Sequence, residues 1–188
     1  MSTAPQAEAQ DGVERLRVLL REAGGLMASL VTIPAAGDGD GDGLPPSPAR
    51  LACEGPRAGG AREEYELLVE AIYEGYLLHY GAPRVLHVPE ADLGLLAGDQ
   101  LYAIGLARLV ALGDTLAVAE LADTITLSAL AQGAGREDLA KAVWEAGARA
   151  VGWGPSEEHA RAKSLVRIGD PGAIEAMRTS AAALPTSP

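Results

Sequence analysis

Apolar residues recur at intervals of three and four along most of this chain, which is the spacing of amphipathic helices. The first stripe begins at Asp11, is weakened or kinked at Gly24–Gly25, and is ended by Pro34. Residues 1–10 lack the pattern, so we expect a disordered tail there and a second tail at 185–188. The pattern therefore predicts one helical domain over residues 11–184.

Further stripes follow, and each is bounded by residues that start or stop helices. Gly81 ends one helix, Pro89 opens the next, and Asp114 is a predicted N-cap directly after Gly113. The predicted helices lie at about 63–80, 90–112, 115–132, 136–151, 156–168 and beyond 171. Ala and Leu are abundant, Phe is absent, and no segment has a convincing strand pattern. The predicted fold class is all-α, a single bundle of about six or seven helices.

Residues 34–60, PAAGDGDGDGLPPSPARLACEGPRAGG, interrupt the helical pattern with Gly, Pro and Asp. We expect a flexible, disordered acidic insertion, with Ser47–Pro48 able to start one short helical turn. Asp38, Asp40 and Asp42 have the spacing of the first half of a calcium loop. Ala49 stands where such a loop needs a bidentate Glu, so an acidic linker is the favoured interpretation and weak calcium binding the alternative.

The net charge of the chain limits the kinds of partner that it can bind. A net charge of −11 argues against a nucleic-acid surface, which needs clustered cations, and against an anionic membrane surface. The one cysteine, Cys53, cannot form an internal disulfide or a cysteine-built metal cage. With no secretory signal pattern at the N-terminus, the predicted location is the cytoplasm.

The segment DLGLLAGDQLYAIGLARLVALG, residues 92–113, is the most apolar part of the chain. It is long enough to cross a bilayer, but Asp99 and Arg108 would lie inside the membrane, so we expect a buried helix of a soluble protein. Gly94, Gly98 and Gly105 lie along this helix and would let a second helix approach closely. Counting back from the turn at residues 113–114 places Gly105 level with Ala122 of the next helix.

The same count places Asp99 near Ser128, within the bundle. A buried carboxylate is costly unless it is paired or hydrogen-bonded. One interpretation is structural, with Asp99 satisfied by polar groups of neighbouring helices or lying in a surface groove. The other places Asp99 in a polar patch with His79 and Arg84 on a bundle cavity. His79, His87 and His159 are expected at helix ends or on the surface.

Three strings, LLHYGAPRV, ADLGLLAGDQLYAIGLARLVALGD and AELADTIT, resemble the trans-isoprenyl diphosphate synthase family over residues 63–152. The most specific match is Ala97–Gly98–Asp99 followed by Leu101. Active members carry two DDxxD motifs that hold magnesium and a diphosphate. This chain has LLHYG at residues 77–81 where the first motif would fall, and nothing downstream matches the second.

The chain therefore most resembles the noncatalytic small subunits of heteromeric prenyl diphosphate synthases, such as that of heptaprenyl diphosphate synthase. The resemblance implies an isoprenoid-synthase-like bundle without a cofactor of its own. It also implies that the hairpin at 90–132 pairs with a catalytic synthase subunit and shapes its chain-length cavity, so that an isoprenoid chain is bound only through the partner. The implied interface residues are Gly94, Gly98, Gly105, Leu101, Tyr102 and Ala122.

Two alternatives belong to other function classes. The chain could be a helical adaptor or self-associating scaffold unrelated to isoprenoids, or a small stand-alone prenyl-chain binder or enzyme. No GxSxG, Walker loop or strand-linked GxGxxG occurs to support a common enzyme class.

Overall fold

The computed structural model describes residues 5–32 and 47–183, the side chains of residues 5–11 excepted. Within these ranges the chain forms nine α-helices, one short 3-10 helix at Gly59–Ala61, and no strand. The helices are α1 Pro5–Ala23, α2 Gly25–Leu30, α3 Pro48–Glu54, α4 Arg62–Tyr80, α5 Ala91–Ala111, α6 Thr115–Gly133, α7 Glu137–Trp153, α8 Glu157–Arg167 and α9 Ala173–Ala182. The all-α prediction is confirmed. The count exceeds six or seven because the first stripe is divided and the predicted insertion contributes a helix.

The N-terminal stripe forms two helices instead of one. Gly24 and Gly25 have φ angles of 70° and 68°, a backbone region that favours glycine, and the chain changes direction between α1 and α2 there. α1 begins at Pro5, six residues before the predicted start at Asp11, so the prediction of a disordered tail was wrong for residues 5–10. Pro at the first helical position followed by Gln, Ala and Glu favours this earlier start.

Part of the predicted flexible insertion is ordered and packed, which corrects the prediction for residues 47–60. Ser47 Oγ accepts a hydrogen bond from the Arg50 amide at 3.2 Å, and Pro48 occupies the first turn of α3. The buried residues of α3 contact α4 and α7. A Cβ built on Gly55 would lie 2.2 Å from the Gly152 carbonyl carbon, so the end of α3 touches the end of α7 backbone to backbone.

Helix α4 lies at the centre of the fold. One side of it packs with α3 and α7, where the rings of Tyr73 and Tyr76 contact Trp144. Its other side packs with α1 and α5 around Leu16 and Leu101. A third buried cluster joins α6 to α7, α8 and α9, away from α4.

Asp114 fixes the turn between α5 and α6. As the predicted N-cap it accepts the Ala117 amide at 3.0 Å, and it also accepts Arg57 Nη2 on both carboxylate oxygens at 2.6 Å. The Tyr65 hydroxyl donates to it at 2.5 Å. Burial disfavours the charge on Asp114, but these hydrogen bonds outweigh burial and lower its pKa. The turn is therefore held to the segment that leads into α4.

Candidate interaction surface

The glycine row of α5 makes the close helix contact that the sequence predicts, but with α4. A Cβ built on Gly105 would lie 2.4 Å from Ile72 Cγ1 and 2.8 Å from the Leu68 carbonyl oxygen. A Cβ on Gly98 would lie 2.5 Å from the His79 ring. Since real Cβ atoms do not approach other atoms this closely, these positions admit only glycine without rearrangement.

The predicted pairing of Gly105 with Ala122 across the α5–α6 hairpin was wrong. α5 packs mainly on α4 and α6 mainly on α7, while α5 and α6 pack little against each other. Gly75 explains why α5 packs on α4. Because Gly75 has no side chain, the backbone of α4 can lie directly against Gly98 and Tyr102 of α5. Ala122 is exposed on α6.

Most of the predicted interface residues lie inside the protomer. Gly94, Gly98 and Gly105 are buried, and Leu101 is buried completely in the cluster shared with α1. Tyr102 is partly buried and stacks on His79, with ring centroids 5.4 Å apart. The face of α5 that carries these residues is already occupied by α4, so a partner would have to bind elsewhere on the helix.

Asp99 is not buried, which corrects its predicted placement near Ser128 within the bundle. Its side chain is 70% exposed, and Oδ1 lies 3.2 Å from His79 Nε2 without hydrogen-bond geometry. Ser128 and Thr126 bond instead to carbonyl oxygens of their own helix. The surface position was one of the arrangements expected under the structural interpretation.

Arg84 lies in a structural cluster and is not joined to His79. Its guanidinium pairs with Glu70 and Glu74 and stacks over the Tyr73 ring at 5.0 Å. Burial opposes its charge, but the two carboxylates outweigh burial and raise its pKa. Glu74 also accepts the backbone amides of residues 84–86, at 2.8, 2.7 and 3.2 Å. These bonds fasten the loop between α4 and α5.

The outer side of α5, opposite the glycine row, is uncovered and carries an apolar stripe among the exposed polar residues Asp92, Asp99 and Gln100. At 100° per residue, Leu96, Ala103, Ala107 and Val110 fall on one stripe, and all four are exposed. Leu96 is 66% exposed and Val110 59% exposed. We call the exposed large hydrophobic residues of this region the α5–α6 apolar face; they are Leu95, Leu96, Val110, Leu112, Leu116 and Leu130.

The exposure of this face is unusual for so apolar a helix. Among the described residues, α5 is the one helix long and apolar enough to span a bilayer by length and composition. Only 33% of its most apolar window is buried. One such helix is weak support for a membrane span, and the part of the chain that the structure describes has no clear one. Contiguous exposed apolar surface of this kind typically marks a binding surface.

Sequence reasoning missed a buried charged cluster between α6 and α8. Glu120 accepts Lys163 Nζ at 2.9 and 3.0 Å, and His159 Nε2 lies 3.2 Å from its Oε2. Lys163 and Arg167 also pair with Asp123, at 2.9 and 2.6 Å. Burial disfavours the charge on Glu120, but the hydrogen bonds from His159 and Lys163 outweigh burial and lower its pKa.

His159 lies in the first turn of α8, where its amide donates to the Ser156 cap, so the helix-end expectation is confirmed. The surface alternative was wrong, because His159 is 2% exposed at the centre of this cluster. Its Nδ1 lies 3.4 Å from the Ser180 hydroxyl, which completes a Ser–His–Glu chain. Ser180 is fully buried and donates to the Met177 carbonyl at 2.8 Å, so a substrate cannot reach the hydroxyl. The chain of hydrogen bonds joins α6, α8 and α9 and is structural. The spacing of His159, Lys163 and Arg167 at every fourth residue was the signal that could have revealed it.

Within residues 5–32 and 47–183, no group of three or more His, Cys, Asp or Glu side chains is arranged to hold a metal ion. The calcium candidates Asp38, Asp40 and Asp42 lie outside the described residues. Two shallow depressions of the described surface lie at the start of α7 and at the end of α6. The α5–α6 apolar face is therefore the strongest candidate site.

Comparisons of this chain with protein-family models, with curated proteins and with solved structures found no match. The resemblance to prenyl diphosphate synthases thus rests on the sequence motifs.

Proposed function

We propose that this chain is a noncatalytic helical subunit that binds another protein through the α5–α6 apolar face. The observation that supports this function is the exposure of Leu96 and Val110 on the most apolar helix of the fold. Their burial by a partner would be favourable by about 25 cal/mol for each Å² of apolar surface removed from water.

The dimensions of the face suit a helical partner. α5 has 21 residues and is therefore about 31 Å long at 1.5 Å per residue. Helices that lie along such surfaces insert anchors at intervals of three, four and seven residues. A partner element that follows the stripe from Leu96 to Val110 would cover four turns of α5.

The proposed partner is a catalytic trans-prenyl diphosphate synthase subunit in the cytoplasm of the same cell. This choice is supported by the sequence resemblance around Ala97–Gly98–Asp99. In this role the chain covers or shapes the cavity that limits product length. Any isoprenoid chain is bound through the partner.

The test is co-expression with a DDxxD-bearing synthase of the same organism, followed by co-purification and light scattering. We expect a stable complex for the wild type and its loss for Leu96→Glu, because a carboxylate would replace a large apolar side chain that is 66% exposed in the free chain. Ile168→Glu is the matched control, because Ile168 is 76% exposed at the end of α8, away from the face. If Leu96→Glu and Ile168→Glu both abolish the complex, or if neither does, the α5–α6 apolar face is not the surface that binds the synthase.

The other function classes give different results in the same assays. A scaffold would form homo-oligomers that Leu96→Glu dissociates, with no synthase in the complex. An independent enzyme would convert allylic diphosphates with magnesium as the purified chain alone. Either result would overturn the proposed function.

A further inference from the structure

Helices α5 and α6 each present a row of exposed apolar residues. On α5 this row is the stripe Leu96, Ala103, Ala107 and Val110. On α6, Val118, Ala122, Ile125 and Ala129 follow one another at intervals of four, three and four residues, and each is partly or fully exposed. Val118 and Ile125 pack against the same buried cluster as Tyr102 and Leu106 of α5. Because α5 and α6 pack little on each other, neither row is covered by the other helix.

The charges that this region offers to a partner are negative. Asp92 and Asp99 are exposed on α5, whereas its one cation, Arg108, is held by Glu64 at 2.6 and 3.0 Å. α6 contains no Lys or Arg. Its two acidic residues, Glu120 and Asp123, are engaged by α8.

Asp99 is the charge closest to the apolar stripe, between Leu96 and Ala103. It lies beside His79 without a hydrogen bond between them, and most of its side chain faces solvent. A cation on a partner helix could therefore reach the carboxylate without displacing an internal bond. Such a pair would be partly desolvated by the surrounding apolar residues, which strengthens it relative to a pair in open water.

We infer that the partner element covering the exposed rows of α5 and α6 is a basic amphipathic helix of another protein. Its apolar stripe lies on these rows, and its flanking Lys or Arg residues pair with Asp92 and Asp99. This inference rests on the proposed function and specifies the chemistry of the partner. It disfavours a second copy of this chain, because two chains of net charge −11 would bring acidic faces together.

The test uses two helical peptides of 21 residues, the length of α5, with the same apolar stripe. One peptide is flanked by Lys and the other by Glu, and binding is followed by fluorescence anisotropy at low and high salt. We expect the Lys peptide to bind about tenfold more tightly or better, with an affinity that falls as salt is added.

Charge reversal at the face sharpens the test. Asp99→Lys should weaken the Lys peptide by about tenfold and strengthen the Glu peptide. Asp138→Lys is the control, because Asp138 has a 75% exposed side chain on α7 and the same change in net charge occurs away from the exposed rows of α5 and α6. Equal loss in both variants would overturn the inference, since only the overall charge would then matter.

The inference and the proposed function can fail separately. If both peptides bind equally and Leu96→Glu abolishes both, the apolar face remains the binding surface and the basic partner is excluded. If neither peptide binds, or if the chain alone dimerises through this face, the inference is likewise overturned. The synthase co-purification decides the proposed function independently of these results.

Discussion

Helices α5 and α8 reverse the usual relation between composition and burial. α5 is almost entirely apolar, yet one whole side of it faces solvent. α8 is rich in charged residues, yet His159 is buried and Lys163 nearly so, because both bind Glu120. The difference shows that the partner surface determines burial: α4 covers only the glycine side of α5, whereas α6 provides acidic groups that neutralise α8.

The largest loss of folding stability is expected when the buried charges of α8 lose Glu120, the carboxylate that they bind on α6. Glu120→Ala leaves Lys163 without one of its carboxylates inside the fold, and we expect unfolding to become easier by about 3–5 kcal/mol. Urea denaturation would measure the change. Glu157→Ala, which removes an exposed pair with Arg161, should cost less than about 0.5 kcal/mol. Similar losses in the two variants would show that the buried cluster does not anchor α8.

The second largest loss of folding stability is expected when the close glycine contact between α5 and α4 is disrupted. Gly105→Leu forces a side chain into Ile72 and the Leu68 carbonyl, and we expect a loss of about 3 kcal/mol in the free energy of unfolding. Gly133→Ala is the control, because nothing lies within 4 Å of the added Cβ. Its effect should be neutral or slightly stabilising. An unchanged melting temperature in Gly105→Leu would exclude the tight α4–α5 crossing.

Acidic pH should produce a smaller and gradual loss of folding stability. The pKa values of Asp114, Glu120 and Asp123 are lowered, since hydrogen bonds and neighbouring cations outweigh burial. A carboxyl of this kind stabilises the fold above its unfolded-state pKa and loses that contribution as the pH falls through the folded-state value. Stability should therefore decline below about pH 5 in wild-type denaturation curves. Asp114→Asn should flatten the decline, and an unchanged slope would contradict this role of the turn.

The sequence predicted features that depend on local chemistry. The bounds of α4 and α6, the break at Gly24–Gly25 and the Asp114 cap are confirmed, because each depends on residues close in sequence. The start of α3 at Ser47–Pro48 was predicted, but only as one short turn, because its buried residues are surrounded by Pro and Gly, which obscured a seven-residue helix.

Features that depend on distant residues were predicted less well. The glycine row identified a tight crossing but not its partner, since Gly75 offers a better notch than the helix that follows in sequence. For the same reason Asp99 was placed inside the bundle. The cluster of Glu120 and His159 joins residues 39 positions apart and has no short motif. The uncovered side of α5 was likewise hidden, because an apolar helix looks the same in sequence whether or not both sides are packed.

The anchoring of Asp114 by Arg57, Tyr65 and the Ala117 amide has a kinetic consequence. If the proposed complex forms, a hairpin whose apex is already locked would lose little conformational entropy at that apex on association. Encounter would then need no slow rearrangement of the apex. Loosening the apex should slow formation of the proposed complex even though no residue of the contact surface has changed.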